Sequence, residues 1–303
     1  MQTYANKKHT HKYDVYKNDV KFKSKAEIDP ERAIWDETTK DLFTTKDDII
    51  KYRIEEARKE KFTFIDLSEL NLKHLGFPYM KPILTRIQYL FVNSNNISGT
   101  FDFSHLDNLT VLDISHNNID TIIPNKNLQE LNCKSNNLSS LPAIESLQKM
   151  DCDFNKLTNI TITPNLKFLL CSNNKLNCIT GNNKIEKLIC NDNPIKKITD
   201  IKNIKYIDMS NTEIDNIDTF VSCDRLQDLV MNNTKITNIP DIKTLRTIEM
   251  LNVNIVELPY YPLLHTVFCS LGKTKKVSKK YKENNKKLDY RIHNGTFLAI
   301  TIT

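Results

Sequence analysis

Glycine is scarce in this chain: five residues in 303, Gly76, Gly99, Gly181, Gly272 and Gly295. No two lie close enough to form a phosphate-cradling loop, which removes P-loop and G-x-G-x-x-G nucleotide sites. No apolar run approaches the ~18 residues of a membrane-spanning helix. The opening MQTYANKKHTHKYDVYK has no apolar core of the kind a secretory signal needs. Also missing are a G-x-S-x-G elbow, an H-E-x-x-H helix and a Cys/His pair at catalytic spacing. The seven cysteines contain no C-x-x-C. An odd cysteine count without an export signal points to a reducing compartment, the cytoplasm. Catalysis, metal binding and cofactors are left without named residues, so no enzyme, no metal site and no cofactor is expected.

The net charge of +6 is unevenly placed. Residues 1–61 carry 15 basic and 13 acidic side chains, and residues 62–271 carry 19 and 22. Residues 272–303 carry 9 and 2. The basic excess belongs to the tail, and any case for an anionic partner starts there.

What the chain has in abundance is a repeat. NLTVLDISHNNIDTI (108–122) recurs as NLQELNCKSNNLSSL (127–141), SLQKMDCDFNKLTNI (146–160) and NLKFLLCSNNKLNCI (165–179), and continues to TLRTIEMLNVNIVEL (244–258). Written L-x-x-L-x-L-x-x-N-x-L-x-x-L, the Asn position falls at 95, 117, 136, 155, 174, 193, 212, 234, 253 and 272. The steps are 19 residues except for two of 22. Weaker copies at 62–75 and 264–277 bring the count to about eleven coils.

These blocks resemble the leucine-rich-repeat family over about 62–277. The resemblance implies a right-handed α/β solenoid, mostly β, with a parallel sheet on its concave face and helical and hairpin caps. Elementary reasoning agrees. In x-L-x-L-x the two leucine-type residues share one strand face, and one coil cannot cover its own apolar side, so coils must stack. The Asn at the bend can satisfy backbone groups that burial would otherwise orphan. Only four to seven residues separate successive blocks, for example TITPN at 161–165. That is too short for a two-turn helix, so a non-helical convex side is expected. Asn gives way to Thr212, Thr234, Val253 and Gly272 late in the series, which weakens the amide ladder there.

Cys133, Cys152, Cys171, Cys190 and Cys269 all occupy the inward position held elsewhere by Val92, Ile114, Met209, Met231 and Met250. They are predicted to be core packing. DCDFNK (151–156) resembles the start of a calcium loop, but Lys156 and Ile162 stand where that loop needs Gly and Glu. His9 and His11 sit in a Lys-rich terminus and amount to weak chelation at most. The sequons at Asn96, Asn137, Asn159 and Asn294 read as solvated bends.

The outward strand positions carry the functional expectation. They include Tyr89 and Phe91, Asp113, Lys149, Asp151 and Asp153, Phe168 and Leu170, Lys187 and Ile189, and Tyr206 and Asp208. With strands ~4.8 Å apart, Phe168, Leu170, Ile189 and Tyr206 are predicted to form an exposed apolar patch ringed by charge. On this reading Leu169→Ala costs ~2–5 kcal/mol, whereas Leu170→Ala scarcely affects folding.

Three parts are expected: an extension and helical cap (1–61), the solenoid (62–277) and a basic cap (278–303). Thr45 and Asp48 resemble a capping box opening a helix over 47–61, with Ile50, Ile54 and Ala57 on one face. An earlier short helix is expected at Asp29-Pro30-Glu31, running past Trp35. Val277, Tyr281, Leu288 and Ile292 approximate a helical stripe, and Asn294-Gly295 signals a hairpin. The favoured function is non-enzymatic protein recognition through the concave face by an adaptor or scaffold. The alternatives are nucleic-acid or anionic-surface binding by residues 273–291, and a structural place in a larger assembly such as a virion. The Asn/Lys/Ile-rich style also resembles repeat proteins of giant DNA viruses and AT-rich protists or bacteria, so a viral protein in host cytoplasm fits too. No membrane contact is expected.

Overall fold

A computed structural model describes residues 46–61, 63–74, 85–272, 276–284, 286–293 and 297–303. Thr45, the segment holding Trp35, the two N-terminal histidines and Asn294-Gly295 lie outside the described residues.

Eleven parallel three- to five-residue strands, from Phe64–Asp66 to Thr266–Ser270, form one face of the solenoid. Their register keeps like positions side by side: Leu131 pairs with Met150, Met150 with Leu169, and Leu188 with Ile207. Each middle residue points into one continuous apolar core, where Leu131, Leu169 and Leu188 are fully buried. The inward cysteines share that core, with Cys133, Cys152, Cys171 and Cys190 at 0% exposure. Burial pushes all four thiols well above their ordinary range.

The bend after each strand explains the Asn. Asn155 Nδ2 donates to Cys133 O of the preceding coil (3.0 Å) and to Cys152 O and Asp153 O of its own. Its Oδ1 accepts from Leu138 N (3.0 Å). Asn117, Asn136, Asn174 and Asn193 repeat this set. At the replaced positions the bond across coils disappears: Thr212 and Thr234 donate only to Met209 O and Met231 O of their own coils. An outer ladder runs through the same region. Asn211 donates to Asp192, Asn233 to Asn211 and Asn252 to Asn233, all at 2.6–2.8 Å.

The convex side is extended. Short parallel pairs lie there, such as Cys178–Thr180 with Lys197–Thr199. A single-turn 3-10 helix, Asp218–Ser222, lies within the second 22-residue step.

The first strand is covered by a helix, Lys46–Lys59, whose Ile50, Ile54 and Ala57 are buried. Arg53 in this helix is 2% exposed; its Nη1 donates to Asp66 O at 2.7 Å, and Asp66 Oδ2 lies 3.9 Å away. At the other end the expected helical stripe through residues 277–292 is corrected. The helix spans only Lys280–Glu283, and Leu288–His293 is a strand. The chain needs that strand to pair with Phe297–Ile302, which in turn closes the edge of Thr266–Ser270. Tyr281 is the part of the stripe that the core takes in, and it is fully buried.

Candidate protein-binding face

The strand register brings the expected residues together. Phe168, Lys187, Tyr206 and Asp228 are lateral neighbours, as are Leu170, Ile189, Asp208 and Val230. Phe168, Leu170, Ile189, Tyr206 and Val230 form one apolar cluster, and Phe64, Tyr89, Phe91 and Val111 form a second. The expectation of exposure is corrected. Leu170 is 2% exposed, Ile189 1% and Tyr206 6%, leaving Phe168 and Tyr89 half-buried. Short strands at close lateral spacing make side chains on the same face pack against one another, and the cluster behaves as a second, smaller core. Leu170→Ala is therefore no surface change.

The charged residues around the clusters are also engaged within the fold. Asp113 Oδ1 accepts from Ser115 N and Oγ at 2.9 and 2.6 Å, and its Oδ2 accepts from Asn132. Asp151 accepts from Asp153 N and Asp208 from Ser210 N, so these carboxylates close the turn that ends each strand. Asp153 passes the pattern sideways by accepting from Ser172 N at 2.7 Å. Lys149 Nζ pairs with Glu130 at 3.1 Å. Lys187, 7% exposed, lies with Nζ 4.9 Å from the centre of the Tyr206 ring. The aspartates thus read in sequence as a charged rim are turn-formers, and Asp151, Asp153 and Asp208 are all buried.

Asp208 is fully buried, as Asp153 is, and its Oδ2 has no hydrogen-bond partner among the described residues. Burial drives its carboxyl up to about 7, against the opposing pull of the Ser210 hydrogen bonds.

Sequence reasoning missed the row one residue before each ladder Asn. Ser94, His116, Ser135, Phe154, Asn173, Asp192, Asn211, Asn233 and Asn252 all have φ between 53° and 58°. Stacking imposes this turn, because each amide reaches the next coil, as Phe154 N does to Ser172 O (2.9 Å). Asn and Asp tolerate the left-handed region, and a bulky aromatic does not. Phe154 nevertheless occupies it with 48% of its surface exposed, and Lys134 Nζ lies 5.5 Å from its ring centre. The signal was present in the sequence as the only aromatic Phe or Tyr in that row. Among the described residues no group of three metal-ligating side chains converges. No described helix is long and apolar enough to cross a membrane.

Comparison with known proteins bears on the fold. A family profile described as Leucine Rich Repeat matches residues 108–126. One chain of the crystallised LRIM1/APL1C complex superposes with a TM-score of 0.59 at 17% identity, over 69% of this chain and 48% of that one. The APL1 leucine-rich repeat domain gives 0.57 at 20%, over 64% and 57%. An internalin (inlF) of Listeria monocytogenes gives 0.52 at 21%, over 65% and 62%. The chain thus spans about half the length of the first two. At such identities the likeness is one of fold. No curated protein matches the sequence.

Proposed function

The chain is a leucine-rich-repeat protein, and we propose that it is a non-enzymatic recognition module that binds a protein partner along its concave side. The contact we assign runs from the half-buried Phe168 to the rim where the strands turn, with Phe154 as its anchor. Phe154 carries the proposal. An aromatic held in a costly backbone conformation, about half exposed and beside a lysine, has no packing role that explains it. The buried clusters beneath give that rim a rigid base. The seven cysteines are free thiols, which suits a reducing compartment.

The basic cap supports a second reading. Lys276, Lys279, Lys280, Lys282 and Lys287 are all exposed on it, an arrangement fit for contact with a polyanion.

A pull-down from lysate with and without nuclease treatment, at low and high salt, with wild type and Phe154→Ala, tests the two together. A discrete protein that survives high salt and is lost with Phe154→Ala, at an unchanged melting curve, is the expected result. Retention of nucleic acid alone, abolished by salt, would move the function to the cap.

A further inference from the structure

We propose that two copies of this chain associate through the edge strand Leu288–His293, paired antiparallel about Tyr290 in a two-fold dimer. This strand is the last of the thirteen-stranded sheet, and no described strand pairs with its outer side. Lys287 and Thr303 exchange both of their backbone hydrogen bonds, at 2.9 and 3.0 Å. By the alternation of an antiparallel ladder, the N–H and C=O of Leu288, Tyr290 and Ile292 then point away from the sheet. The same three residues share the face that continues the core side of Leu298, Ile300 and Ile302. Beyond the end of the core that face is uncovered: Tyr290 is 51% and Ile292 63% exposed. An exposed apolar edge of this kind is a template for another strand.

Charge complementarity points to a second copy as the occupant, and it favours an axis on Tyr290 over one on either charged neighbour. A two-fold axis perpendicular to the sheet must place one residue opposite itself. Centred on Asp289 or on Arg291, it sets like charges face to face, which is destabilising. Centred on Tyr290, it sets Asp289 opposite the second copy's Arg291, twice over. Within one strand these residues already form an ion pair at 3.1 Å, so the dimer joins two pairs into a network of four. In the same register Leu288 meets the second copy's Ile292, and Tyr290 meets Tyr290. The bulk of the cap's lysines fall outside the paired window, yet their like charge makes the association a modest one, suited to micromolar concentrations.

Charge swapping tests this on the full chain by sedimentation at about 1–100 µM. Wild type is expected to dimerise. Asp289→Arg and Arg291→Asp are each expected to weaken dimerisation at least about tenfold, a difference of about 1.4 kcal/mol. Mixing the two single variants restores a dimer, because every charge then meets its opposite. The double variant Asp289→Arg/Arg291→Asp restores it as well. A monomeric wild type at 100 µM overturns the proposal. So does a dimer indifferent to the single reversals, or a pair of variants that stays monomeric on mixing. Equal melting temperatures across the set separate lost association from lost folding. The concave-face reading stands or falls separately, since Phe154→Ala leaves this edge untouched.

Discussion

The hydroxyl of Tyr281 accepts the backbone N–H of Tyr261 at 3.0 Å and donates to Pro259 O at 2.9 Å. Tyr261 passes the connection on, its own hydroxyl donating to Ile239 O at 3.1 Å. Two buried phenols therefore tie the C-terminal cap to two successive coils. Burial raises both, Tyr281 to about 12, so neither ionises in ordinary buffers.

Removing that hydroxyl leaves a buried amide and carbonyl unpaired. Tyr281→Phe is expected to cost about 1–3 kcal/mol. Tyr281→Ala, which also opens a cavity beside Tyr260, costs about 3–5 kcal/mol. Urea denaturation followed by circular dichroism measures both. Equal midpoints for Tyr281→Phe and wild type would mean that the cap is not docked in this way.

Asp208 gives the pH prediction. Its folded-state value of about 7 lies above that of an unfolded carboxyl, so the folded chain binds this proton more tightly. Its contribution is fully present below about pH 4. It declines as pH rises and is lost by the time pH has passed through about 7. Asp208→Asn keeps an oxygen for Ser210 N while removing the buried charge. It is expected to leave stability little changed near pH 5 and to raise it by a few kcal/mol at pH 8, because each tenfold change in proton affinity is worth about 1.4 kcal/mol. Denaturant midpoints for both proteins from pH 5 to 8.5 decide it. Parallel curves would show that Asp208 is not protonated in the fold.

Much of this architecture was legible because the signal is periodic. Residues 19 apart must do the same job in successive coils, so the strands, the inward cysteines and the Asn ladder follow from spacing. What spacing hides is how far neighbours cover one another. Leu170 and Ile189 are outward by register and buried in fact. The D-x-S pattern of Asp113 and Ser115 is visible, but it suits a charged rim and a closed turn equally well until the hydrogen bonds are seen. The outer Asn ladder is hidden because its row changes residue type from coil to coil, from Ser94 and His116 to Asp192 and Asn211. The cap stripe misleads for a different reason: Tyr281 and Leu288 are both apolar at helical spacing, yet they belong to a helix and a strand.

The inner ladder predicts opposite effects of removing its Asn and of restoring it where the sequence has lost it. Asn155→Ala orphans Leu138 N in the interior and takes one of two donors from Cys133 O, which keeps Asn136 Nδ2, and is expected to cost about 1–3 kcal/mol. Thr212→Asn adds back a donor and an acceptor across the coils and is expected to gain about 1 kcal/mol. Native-state hydrogen exchange checks the mechanism as well as the sum. Protection at Leu138 should fall in the first variant. If Thr212→Asn instead destabilises, the outer ladder from Asp192 to Asn252 is competing for the same turn.

Leu169 and Leu170 sit next to each other and face opposite sides of one strand, each into its own apolar cluster. Leu169 is fully buried among stacked coils, and Leu169→Ala is expected to cost about 2–5 kcal/mol. Leu170, at 2% exposure, should also cost free energy when truncated, but toward the lower end of that range. Its cluster has only five members, and Phe168 on its margin is free to relax into the gap. The two also differ in what they disturb. A cavity at Leu169 opens into the column that holds Cys152, Cys171 and Cys190 and should speed their reaction with a thiol reagent. A cavity at Leu170 should leave that rate alone and loosen only the concave side. Thiol labelling of both variants under native conditions separates the cases, with the exposed Cys178 as the internal reference for a fully accessible thiol. Faster labelling of the inward cysteines in Leu170→Ala, and not in Leu169→Ala, would mean that the two residues have exchanged faces and that the strand is shifted by one position.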